Sequence, residues 1–387
     1  MRNEAESRKA AVRRLGRGVS LGRVLDVTRP KAWVELDEDV RWAVVRGDLD
    51  PSHAWLTGAE GPGWRRLWRQ TSVRWRGTPT EAELALALCD PDGRIREAAL
   101  PYAEGRPEVL PLVVVRAADW VEPVRARARE LLRAELATAS YGTLALTAPV
   151  ILRLGARLRG GEAVELLDGL LRDGPSATVN ALLIGCRDAA TRRAALAVVL
   201  DRGLYDGLGL ALIAAEDHDP VVQERAASAA VAAGEPDVTV PVLLGSRFGR
   251  VRAAGVTALR GAGRHAEAEP YLYDRSGRTR ACARWVVRQG GGDPVALYRA
   301  ACAAAEVPER APLGLGECGT RALDAPALWE LTAHRNGRVR ASAVVGLRLL
   351  DAVHPARMRA LLDDPEPGVV REAARALRPW TGRAGVR

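Results

Sequence analysis

Thirteen residues, Trp64 to Arg76 (WRRLWRQTSVRWR), hold three Trp, five Arg and no acid. These residue types suit single-stranded nucleic acid, because indoles stack on bases and guanidinium groups meet phosphates. Trp64, Trp68 and Trp75 also fall at i, i+4 and i+11, so on a helix they share one face, with Arg65, Arg69 and Arg76 on the next. The same spacing describes an amphipathic capping helix with enclosed indoles and solvated Arg. A second basic series precedes helices: Arg94, Arg250, Arg278 and Arg338 each stand in a Gly-Arg turn. Such a row can meet phosphate or an acidic protein.

Other chemistry is sparsely signalled. In AWVELDEDVRW, Trp33 precedes Asp37 by four residues, with Glu38, Asp39 and Trp42 behind; acids of this kind are at home near a helix N-terminus or on a solvated face. The five His (53, 218, 265, 334, 354) form no H-x-x-x-H, and the five Cys (89, 186, 282, 302, 318) form no CxxC. Neither a metal site nor a disulfide framework is expected, and the thiols read as reduced. No GxGxxG follows a strand to open a helix, and there is no P-loop and no G-x-S-x-G. Gly290–Gly292 reads as a linker. No cofactor is expected.

The elements that must position these residues follow from composition and period. Of 387 residues 48% are hydrophobic but only 4% aromatic, so Ala, Leu and Val must fill the core, which favours close-packed helices. The net charge is +9, and only Lys9 and Lys31 among the 57 basic residues are Lys. An Arg bias this extreme reads as genome composition more than phosphate recognition. Residues 1–80 carry 16 basic and 10 acidic side chains, so +6 of the excess lies there. The N-terminus is charged and has no apolar run suited to a signal peptide, and no stretch is long and apolar enough to span a membrane. A cytoplasmic protein is expected.

A short word recurs: a polar residue, a turn, a β-branched residue, Arg, then small residues. It runs from Asp90 to Arg96, Asp119 to Arg125, Asp274 to Arg280 and Asp364 to Arg371, with Ser246 leading to Arg252, His334 to Arg340 and Asp217 to Gln223. From Arg96 to Arg125 is 29 residues, from Gln223 to Arg252 is 29 and from Arg252 to Arg280 is 28. Each unit reads as two helices separated by Gly, Asp or Pro. One such pair cannot bury its apolar stripe alone, so about ten must stack. The expected fold is all-α, an α–α superhelix, with residues 1–80 as a Trp-rich helical cap or divergent repeats, 81–380 as the solenoid and 381–387 as a frayed tail.

The Asp-x5-Arg spacing and the turns in CDPDGRIREAA and DDPEPGVVREAA resemble the HEAT-repeat family, in particular the short repeats of bilin-lyase-type proteins. The resemblance covers about three quarters of the chain. It implies a right-handed solenoid and a side-chain ladder between adjacent repeats involving Asp90/Arg96, Asp119/Arg125 and Asp274/Arg280, interrupted at Gln223, Ser246 and His334. By architecture the chain also resembles the HEAT-like alkylpurine DNA glycosylases. That resemblance implies a carboxylate beside Trp stabilising a developing sugar cation, for which Asp37 with Trp33 is the local match.

Fold does not carry function. The leading expectation is a non-enzymatic scaffold that holds a protein partner on a concave face lined by second helices. Candidate contacts there are Arg127, Glu224, Arg284, Trp285 and Arg375, with Trp120 and Trp285 as aromatic anchors. Nucleic acid is the alternative partner, through the Arg-rich N-terminal stretch and the Gly-Arg turns.

Overall fold

The structure is a computed structural model and describes residues 2–49, 56–57, 74–75 and 77–381. The chain divides into two compact units, Met1–Leu204 and Tyr205–Arg387. The first opens with α1 (Arg2–Gly16), α2 (Leu21–Val24) and α3 (Pro30–Arg46), then the short antiparallel pair β1 (Leu56–Thr57) and β2 (Arg74–Trp75). Four helix pairs follow: α4 (Glu81–Leu88) with α5 (Gly93–Ala99), α6 (Leu110–Arg116) with α7 (Glu122–Ala137), α8 (Tyr141–Leu154) with α9 (Gly161–Asp173), and α10 (Ser176–Gly185) with α11 (Ala189–Asp201).

The second unit holds six pairs among the described residues. They are α12 (Gly207–Glu216) with α13 (Pro220–Ala233), α14 (Pro236–Gly245) with α15 (Gly249–Gly261), and a 3₁₀ segment (His265–Tyr273) with α16 (Gly277–Gln289). Then come α17 (Pro294–Ala303) with α18 (Ala311–Cys318), α19 (Arg321–Leu331) with α20 (Gly337–Leu349), and α21 (Pro355–Ala360) with α22 (Pro367–Thr381).

First helices pack on first helices (α4 on α6, α6 on α8, α8 on α10) and second on second (α5 on α7, α7 on α9, α9 on α11). In the second unit α12 packs on α14, α13 on α15 and α15 on α16. Each unit is therefore an all-α, α–α superhelical stack of repeats. The stacking follows from the sequence, since each helix is too short to hold itself together in water and gains stability only by burying an apolar face on its neighbours.

The recurring word builds the turn. Its leading Asp accepts a hydrogen bond from the backbone N–H two residues on, as in Asp90 with Asp92 (2.7 Å), Asp274 with Ser276 (2.7 Å) and Asp364 with Glu366 (2.8 Å). Ser246 Oγ and His334 Nδ1 accept the same bond, from Phe248 and Asn336. Two residues after the lead, Asp92, Asp219, Ser276 and Asn336 then cap the second helix of the pair. A turn with this much local hydrogen bonding tolerates a changed first residue.

The N-terminal helices belong to the first unit: α1 packs on α4, and α3 lies against both α6 and α8. That placement explains α6, whose residues Leu110–Arg116 are all buried. A helix apolar on every side needs cover on every side, and α3, α4, α7 and α8 supply it. Trp75 departs from the helical expectation for its stretch. It lies in β2, its Nε1 donates to the Ala98 carbonyl at 3.2 Å, and its ring packs on Tyr102 with centroids 5.3 Å apart. Gly77 and Pro79 follow at once, and the extended backbone lets the indole reach α5. Trp64, Trp68, Arg65, Arg69 and Arg76 lie outside the described residues.

Small residues set the helix spacing in the second unit. A methyl group on Gly316 of α18 would lie 2.3 Å from Gly346 Cα of α20, so the two backbones touch where neither residue has a side chain.

Candidate functional site

The most strongly built cluster of functional groups lies where α3 meets the turn between α6 and α7. Asp37 projects from α3 and is 7% exposed. It accepts a hydrogen bond from Arg41 Nε at 3.1 Å, one helical turn on, and pairs with Arg116 Nη2 at 2.5 Å. Arg116 ends the apolar run LPLVVVR and is itself buried; its Nη1 donates to Asp119 Oδ2 at 2.8 Å. Asp119 also receives Arg96 through two bonds of 2.9 Å, and Val121 N–H at 2.9 Å. Arg96 spends its last nitrogen on the carbonyls of Asp90 and Pro91, both at 2.8 Å.

The electrostatics follow from enclosure. Burial opposes ionisation of Asp119, but the Arg96 hydrogen bonds and the Arg116 charge outweigh it and hold the carboxyl below the usual range. Arg41 is pushed the other way: burial first, then the like charge of Arg116, lower its pKa against the pull of Asp37. The adjacent Cys89 thiol is raised, chiefly by burial and then by the Asp37 charge, which keeps it a neutral, inert core group.

Trp120 roofs the cluster. It stands in the turn between α6 and α7, is 57% exposed, and has the guanidinium carbons of Arg41 and Arg96 at 4.2 and 4.6 Å from its ring centroid. An indole held this way is both exposed and pre-oriented by cation–π contact. The sequence offered Trp120 as an aromatic candidate. Arg41, Arg96 and Arg116 were not read as a site, although an Arg closing an apolar run, as Arg116 does, signals a buried partner acid.

The Asp37–Trp33 pair does not form the arrangement implied by the glycosylase resemblance. Trp33 is fully enclosed, with its Nε1 donating to Val27 O at 3.0 Å. The Asp37 carboxylate is taken by two guanidinium groups. Burying the indole against the turn before α3 is what fixes that helix, so neither group is offered to a sugar.

The remaining candidates are dispersed. Arg94 and Arg127 are exposed on the first unit. In the second, Arg250 and Arg278 both face Glu224, at 3.6 and 3.3 Å, and Arg338 faces Glu309 at 3.2 Å, so three of the four Gly-Arg turns meet carboxylates. Arg284 is half-buried and pairs with Glu317 at 2.5 Å beside Arg280. Arg375 bonds to Glu372 at 3.0 Å. Trp285 is 39% exposed, with Arg260 at 5.0 Å from its ring centroid. Among the described residues no group of three or more His, Cys, Asp or Glu is placed to hold a metal, and no helix is long and apolar enough to cross a membrane.

No protein-family model matches the chain, and no curated protein matches it either. Among solved structures the chain is similar to Kap121p at 11% identity, over 90% of this chain and 45% of that one, with a TM-score of 0.28. It is similar to Kap121p bound to Nup53p at 13%, over 76% and 40%, TM-score 0.26, and to an engineered protein at 16%, over 96% and 98%, TM-score 0.23. The chain thus spans less than half the length of the Kap121p structures. At these values the helical-repeat assignment rests on the chain's own packing.

Proposed function

We propose that this protein is a non-enzymatic binding scaffold of short HEAT-type repeats, cytoplasmic, which holds a protein partner on the surface formed by its second helices and the turns before them. The carrying observation is Trp120: a large indole more than half exposed, yet held in place by Arg41 and Arg96. Preorganised Trp and Arg are the residues that dominate protein interfaces. In the second unit Trp285, on α16 and 39% exposed, has one guanidinium, that of Arg260, at 5.0 Å from its ring centroid. Two observations favour protein over nucleic acid: the Gly-Arg turns of the second unit face carboxylates, and Asp37 and Trp33 are engaged inside the fold. The free thiols of all five Cys fit a reducing compartment.

The test is crosslinked affinity capture from native lysate with the wild-type chain, Trp120→Ala and Trp285→Ala, each with and without nuclease. A discrete protein partner that survives nuclease and is lost on Trp120→Ala is expected. A chain that emerges alone, or a partner released by nuclease, overturns the reading.

A further inference from the structure

At the junction of α3 and α6 the charges do not balance. Three guanidinium groups (Arg41, Arg96, Arg116) meet two carboxylates (Asp37, Asp119). Arg96 is fully used. Arg41 is not. Only its Nε is hydrogen-bonded, while Nη1 and Nη2 are both enclosed without a hydrogen-bond acceptor. The nearest further carboxylate oxygen, Asp119 Oδ2, stands 4.0 Å from Nη2. Leaving a buried donor unmet costs about 1–3 kcal/mol, and more for a charged group. The guanidinium lies 4.2 Å from the centroid of the Trp120 ring, and that ring is the exposed part of the cluster.

We propose that Arg41 and Trp120 form a receptor for a single carboxylate from an acidic segment of the protein partner, the paired Nη groups gripping its two oxygens while the indole packs on the adjoining hydrocarbon. The inference rests on the scaffold reading and deepens it. The planar fork of a guanidinium matches a carboxylate in two-point geometry. Among the five groups named the surplus is one positive charge, which one monoanion neutralises.

The experiment uses the full chain at fixed pH and ionic strength. Thermal unfolding is followed while chloride is replaced by acetate or by inorganic phosphate, in the wild type, Arg41→Gln and Arg23→Gln, the last a control at an exposed guanidinium on α2. A fluorescent blocked Glu-containing peptide is titrated in parallel by anisotropy, with circular dichroism checking that Arg41→Gln keeps its helices. Expected is a saturable rise in Tm with acetate in the wild type and in Arg23→Gln that disappears in Arg41→Gln, with peptide affinity at least about tenfold weaker there. Equal acetate responses in wild type and Arg41→Gln, no response in either, or a larger response to phosphate than to acetate would overturn the receptor. If lysate capture depends on Trp120 but is unchanged in Arg41→Gln, the receptor falls and the scaffold stands.

Discussion

Arg252 holds both carboxylate oxygens of Asp274 at 2.7 Å across 22 residues of chain, and closes its Nη1 on the Ser246 carbonyl at 2.8 Å. Arg340 does the same with Asp364 (2.7 and 2.8 Å) and the His334 carbonyl (2.9 Å), and Arg96 with Asp119 and Asp90. In these three units the word's Arg ties down its own turn and grips the leading acid of the next repeat; Arg280 instead pairs with Glu317, and Arg125 bonds to the Asp119 carbonyl. Where the cation is lost, the next acid is lost too: Gln223 keeps only the carbonyl bond, to Asp217 at 2.6 Å, and the following turn begins with neutral Ser246.

Arg252→Met should therefore destabilise the chain by about 3 kcal/mol, because Asp274 is left nearly enclosed without its partner. The double variant Arg252→Gln with Asp274→Ser copies the neutral combination found at 223 and 246, and should recover most of that loss. Urea unfolding of the three variants measures this. A double variant no more stable than the single one would show that the pair does not act as a unit.

Asp37→Asn should lower stability by about 3 kcal/mol and raise hydrogen exchange in α3 above that in α4, since it removes the shared anion of Arg41 and Arg116. Incubation of the wild type with alkylated DNA should release no free base. Release that vanishes in Asp37→Asn would restore the glycosylase reading.

Acid should unfold the protein through these pairs. Arginine hydrogen bonds lower the carboxyl pKa of Asp324 and Asp364; at Asp119, Asp274 and Glu317 burial opposes ionisation most, and the arginine hydrogen bonds and charges outweigh it. Groups with a folded pKa below the unfolded value of about 4 bind more protons when unfolded. Their stabilisation is present above that pH and lost as pH falls through the folded values. The Tm should hold level near neutrality and decline below about pH 4, less steeply in the Arg252→Gln, Asp274→Ser double variant.

Gly316→Ala should cost about 1–3 kcal/mol, although Ala favours helix, because its methyl group would strike the Gly346 backbone. Thermal melts of Gly316→Ala beside Gly261→Ala, where a methyl group meets nothing within 4 Å, separate contact from propensity.

The chain by itself determined the helices, their pairing and the period near 29 residues, because these rest on local signals: apolar faces, Asp and Ser caps, and Gly or Pro breaks. It also offered Trp120 and Trp285 as aromatic candidates. What only the tertiary structure decided is which charges meet. Asp37 and Arg116 are 79 residues apart and become partners because α3 lies across α6. Trp33, suited on paper to a ligand, became core for the same reason. Glu224 quenches two turns from a different helix. Side-chain pairing across helices depends on stacking geometry, to which sequence spacing is blind, so the repeat was legible from its local chemistry while the site emerged only when the helices packed.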